Sequence, residues 1–155
     1  MQLDHRVQDG AADVTRRTNP KPIVIPEREV LASSMAILRG LGWTVWRRNV
    51  GMFKLPNYDG TYRTFRANDP GMSDLWGVTS NKRHFELEIK RHGKRPTARQ
   101  LEWLRGWNNE KADRFVTFWV DNTATLERVA RHIMAGGRIE YVGEKGDYDL
   151  IEGTR

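Results

Sequence analysis

The chain contains no cysteine. Disulfides, thiol nucleophiles and thiolate zinc sites are therefore outside its chemistry. No run of about 18 apolar residues occurs, so no membrane partner is expected. Histidine is scarce: four residues, at 5, 84, 92 and 132, with no H-x-x-x-H spacing to bring two together. A histidine-based zinc site is not expected. The stretch MQLDHRVQDGAADVTRRTNPKP lacks the apolar segment of a secretory signal. Its polar composition predicts a flexible N-terminal tail over 1–22, one domain over 23–155, and a cytoplasmic setting.

What is present fits a single domain with a real core. The chain has 155 residues, with six Trp, five Phe and four Tyr to fill it. The net charge is +6, and residues 82–105 alone hold eight Lys/Arg against Glu86, Glu88 and Glu102. Cations grouped this way suit a polyanion such as DNA. A solvated basic face is the plainer explanation of the same pattern.

Apolar periodicity and turn residues divide the chain. Leu31, Ser34, Leu38 and Leu41 recur at helical spacing after Pro26 and stop at Gly40 and Gly42. WTVWRRNVG reads as a strand, and LPNYDGTYRTFRA as a turn at Asp59-Gly60 followed by a second strand. NDPGMSDLWGVTSNKRHFELEIK reads as turn, strand, turn, strand. Thr97 caps a helix running to about 109, RFVTFWVD is a buried strand, NTATLERVARHIMAGG is a helix, and RIEYVGEKGDYDLIE adds a short hairpin. The order α-β-β-β-β-α-β-α predicts an α/β domain with a mixed sheet flanked by helices.

Strand alternation puts Phe85, Leu87 and Ile89 on one face and Glu86, Glu88 and Lys90 on the other. Glu88 and Lys90 then lie about 6.5–7 Å apart along the strand. They can converge on one small group, a carboxylate holding a divalent metal and an ammonium holding water or a phosphate oxygen. One carboxylate binds Mg²⁺ poorly. A tight turn at 79–83 brings Asp74 back beside Glu88 as a second oxygen donor.

These residues carry a resemblance. GMSDLWGV and FELEIK resemble the PD-(D/E)xK nuclease core, with Ser73 in place of the usual proline, a change expected to matter little. With PEREVLASSMAILRGLGWTVWRRNVG and GKRPTARQLEWL in the same order, the chain resembles the VRR-NUC family over about 26–121. The resemblance implies a restriction-endonuclease-like fold and an Mg²⁺- or Mn²⁺-dependent endonuclease leaving 5′-phosphates. It implies Asp74, Glu88 and the backbone carbonyl of Ile89 as metal ligands. Glu27 supports the metal from the first helix, with Glu29 as the alternative. Lys90 orients water or stabilises developing charge, and Gln100 reaches the site or the DNA backbone. Arg91, Lys94, Arg95 and Arg99 are candidate phosphate contacts as a group. Relatives imply branched DNA such as Holliday junctions, a homodimer, and a phage or bacterial source. The alternatives are a flap or nicking nuclease, a sequence-specific restriction enzyme, and a non-cleaving DNA-binding protein of the same fold.

Each residue also has a plainer reading. Glu88 and Lys90 form an ordinary strand pair, Asp74 is a turn residue, and Glu27 is placed for the helix dipole. Glu86 is expected to be a solvated edge residue rather than a supporting ligand. Trp43, Trp46, Trp103, Trp107 and Trp119 are expected in the core. Trp76, beside Asp74, is a candidate for stacking on a base.

Overall fold

Helix α1 (Glu27–Gly40) starts directly after Pro26, whose extended φ of −62° suits it to precede a first turn. In this computed structural model the described residues are 23–48, 51–67, 69, 71–110 and 114–153. The tail expected over 1–22 lies outside them. Val30, Ser34 and Leu38 of α1 are buried and Leu31 packs beside them, as the periodicity requires.

Five strands follow rather than four: β1 (Thr44–Arg47), β2 (Gly51–Pro56), β3 (Tyr62–Ala67), β4 (Leu75–Val78) and β5 (His84–Ile89). The strand expected over 43–51 is β1, which joins the main sheet; β2, which shares only Gly51 with that stretch, is an additional strand and pairs with β3 as a separate hairpin. Then come α2 (Ala98–Glu110), β6 (Phe115–Val120), α3 (Thr123–Met134), β7 (Arg138–Val142) and β8 (Asp147–Ile151).

The main sheet has the order β1-β4-β5-β6, antiparallel at the first two pairings and parallel at β5-β6. The parallel pair needs a crossover, and α2 supplies it. Phe85, Leu87 and Ile89 join Leu38, Leu75, Phe118, Leu126 and Ile133 in the core. The opposite face of β5 looks toward α2 and carries the polar residues. The β7-β8 hairpin guards the outer edge of β6: Tyr141 Oη donates to the Thr117 carbonyl at 3.1 Å and Tyr148 Oη to the Trp119 carbonyl at 2.6 Å. Among the described residues no helix is long and apolar enough to cross a membrane.

Candidate active site

The β4-β5 turn closes through Thr79 N–H donating to the Arg83 carbonyl at 2.8 Å, with Lys82 at φ 68°. That turn fixes Leu75 opposite Leu87. One step further along the same register, Asp74 lies across from Glu88. The two carboxylates are thus neighbours by strand pairing, as expected. Lys90 sits one residue past β5 and keeps its place through its N–H to the Val120 carbonyl, 2.8 Å.

Glu88 is 1 % exposed, an unusual place for a carboxylate. Its Oε1 receives Lys90 Nζ at 2.6 Å and the Gln100 amide at 2.5 Å. Its Oε2 is buried without a hydrogen-bond partner. Burial first, then the charge of Asp74, push its pKa up to about 7, against the pull of Lys90. Asp74 is also raised, chiefly by burial, although the Ile89 N–H donates to its Oδ2 at 2.9 Å and Lys90 opposes the shift. Two acids held in reluctantly charged form, one with an orphaned oxygen, form a site short of positive charge.

Gln100 owes its position to the start of α2. Thr97 N–H donates to Gln100 Oε1 at 2.9 Å and Gln100 N–H to Thr97 Oγ1 at 3.4 Å, a reciprocal capping box. With its carbonyl oxygen engaged by the cap, the amide nitrogen is aimed at Glu88. Gln100 is therefore a positioning residue.

Glu27 approaches from α1, and its Oε2 accepts from the Arg91 N–H at 3.3 Å. Its charge raises both Asp74 and Glu88. Glu29 instead lines a separate, mainly apolar cleft with Ile23, Ile25, Val30, His92 and Asp121, which contains none of Asp74, Glu88 and Lys90. Between the two helix carboxylates, Glu27 is the one at the site. Among the described residues no three His, Asp or Glu side chains are grouped to hold a metal. The donor set is therefore two carboxylates, with any further oxygen coming from backbone, water or substrate. The orphaned Glu88 Oε2 and the raised acids fit a hard divalent cation of the Mg²⁺ or Mn²⁺ kind.

Glu86 departs from expectation. It is not solvated: Arg48 grips it with two donors at 2.6 and 3.0 Å, Trp103 Nε1 donates at 3.2 Å, and Ser73 Oγ bonds to it as well. Ser73 is buried, and its hydroxyl enters a network that proline has no atom to join. Arg48 also donates its N–H to the Asp74 carbonyl at 2.8 Å. Sequence reasoning missed Arg48, whose partner Glu86 lies 38 residues away and is brought to it by the sheet.

The candidate phosphate contacts separate. Arg91, Lys94 and Arg99 are exposed. Arg95 is drawn to the β7-β8 hairpin by Asp147 at 2.7 Å and lies over Trp119 at 5.7 Å. His92 faces Asp121 at 3.4 Å, and His84 stacks on Phe115. Trp43 is core, Trp103, Trp107 and Trp119 are half-buried, and Trp46 is 46 % exposed rather than internal. Comparison with family profiles, curated proteins and solved structures finds no match to this chain.

Proposed function

We propose that the chain is a metal-dependent DNA endonuclease of restriction-endonuclease-like fold, resembling the VRR-NUC family. One observation carries the reading: a buried Glu88, a half-buried Asp74 across the strand pair and a lysine converge, and one Glu88 oxygen is left without a partner. A structural ion pair needs no orphaned oxygen and no second raised acid. The α1-β1-β4-β5-α2-β6 order, with its one parallel pair, supports the fold assignment.

In this reading Asp74 and Glu88, with the Ile89 carbonyl, hold Mg²⁺ or Mn²⁺, and Glu27 supplies negative charge behind them. The cation contributes charge neutralisation at the phosphate and a more acidic bound water. Lys90, 2.6 Å from Glu88, is placed to orient the attacking water or to meet charge developing on the phosphate oxygens. Gln100 holds Glu88 in one rotamer. Arg91, Lys94, Arg95 and Arg99 receive the flanking phosphates as a group, Arg95 shared with Asp147. The substrate is branched DNA such as a Holliday junction, cut by a homodimer in the cytoplasm of a bacterial or phage-infected cell. Paired nicks on a junction suit two sites related by a twofold axis.

The test is cleavage of a labelled four-way junction beside flap and linear duplex DNA, with Mg²⁺, Mn²⁺ or EDTA. Metal-dependent junction cutting that Lys90→Ala loses is the expected result. Cutting of flaps alone keeps the chemistry and replaces the substrate. Binding without cutting in either metal overturns the enzyme reading.

A further inference from the structure

The sheet face that carries Asp74 and Glu88 is only half covered. Register aligns Trp46, Trp76, Glu86 and Thr117 across the four strands. Helix α2 covers the Glu86 and Thr117 end, where Trp103 bonds Glu86 and Thr117 Oγ1 donates to the Leu104 carbonyl. At the other end Trp46 is 46 % exposed and Trp76 36 % exposed. Their rings lie 4.9 Å apart at an interplanar angle of 33°. Arg48, tied to Glu86, sits 5.6 Å from the centre of the Trp76 ring, within cation–π range.

Trp76 is two residues from Asp74, so both side chains leave the same face about 7 Å apart. An exposed aromatic pair can stabilise a hairpin or sheet edge alone. Its continuity with the Asp74–Glu88 site, on a chain of net charge +6, points to a polyanion that carries planar groups. A strand whose phosphate lay at Asp74 and Glu88 would have its adjacent base within reach of this pair.

We propose that Trp46 and Trp76 form a stacking platform for unpaired nucleobases beside the scissile phosphate. The proposal rests on the nuclease reading for the position of that phosphate. It makes the site selective for DNA that is unpaired next to the cut, as at a junction, flap or nick. Stacking of this kind tolerates any base, because every base has a π-face.

The experiment is fluorescence anisotropy in EDTA with a labelled single-stranded oligonucleotide, the same strand with abasic sites, and a blunt duplex. Junction cleavage with Mn²⁺ is measured in parallel on the same protein. Removing the bases is expected to weaken wild-type binding about tenfold. Trp76→Ala and Trp46→Ala are expected to bind the intact strand as weakly as the abasic one, while Trp76→Phe keeps most of the difference. Thermal melting checks that the variants fold. If one does not, the abasic comparison on wild type still decides.

Equal wild-type binding of intact and abasic strands overturns the platform, as does a Trp76→Ala variant that keeps the preference. If the Trp variants instead convert a dimer to a monomer and leave base preference intact, the face joins two copies of the chain and the proposal falls. Cutting without base preference leaves the nuclease reading standing. Base preference without cutting removes that reading and leaves the platform.

Discussion

Glu88 sets the pH behaviour of the molecule. Its folded pKa is raised to about 7 from 4.5. Between these values the folded chain holds a proton that the unfolded chain has released. The stability this supplies is complete below 4.5 and is lost as pH rises toward 7. Glu88 alone is expected to make the metal-free protein less stable at pH 8 than at pH 4.5, on the order of 3 kcal/mol. Urea unfolding in EDTA at the two pH values measures the difference, and Glu88→Gln should flatten it. A divalent cation competes with that proton, so Mn²⁺ should raise the melting temperature more at pH 8 than at pH 5.5. Asp74→Asn is expected to lose most of that rise.

Arg48, just after β1, bridges past β4 to Glu86 on β5 and ties three strands together. Arg48→Ala strands a half-buried carboxylate, and about 3 kcal/mol of stability should go with it. Arg48→Met with Glu86→Leu removes both charges and is expected to recover most of the loss, as a double-mutant cycle by denaturant titration will show. At α2, Gln100→Glu preserves the capping box and places a second carboxylate against Glu88. The activity–pH profile should then shift to higher pH, with helix content unchanged by circular dichroism. Thr97→Ala should cost about 1 kcal/mol of stability through the cap alone.

These elements were legible in the sequence to different degrees. Alternation across Phe85, Leu87 and Ile89 revealed β5 and its polar face, and Asp59-Gly60 revealed a turn. Strand β2 was not legible, because GMFKLP is short, begins with glycine and ends in proline, and partner choice is a tertiary matter. The cluster of Asp74, Glu88 and Lys90 could be read from spacing plus one turn. The Arg48–Glu86 bridge could not, since its partners are far apart in sequence and only the sheet register unites them. The exposure of Trp46 escaped for a related reason: its position at the sheet's uncovered end depends on where α2 lies.

Over the whole molecule the exposed cations Arg91, Lys94 and Arg99 lie on the segment that leads out of the site. Each that meets a duplex phosphate displaces about 0.9 of a counterion. The triple alanine variant is therefore expected to reduce the slope of log K against log salt by about 2.7 on duplex DNA. Anisotropy titrations across a salt series read that slope directly. Arg95→Ala should reduce it by less than one phosphate's worth, because Arg95 is shared with Asp147.

The main-chain bond from Arg48 N–H to the Asp74 carbonyl, 2.8 Å long, has a wider meaning. It closes the neck of a loop that contains the β2-β3 hairpin, whose strands, among the described residues, pair with each other alone. The chain leaves and re-enters the sheet at the same spot. The hairpin is therefore a cassette: shortening its tip should leave the neck, and the acid that ends it, in register.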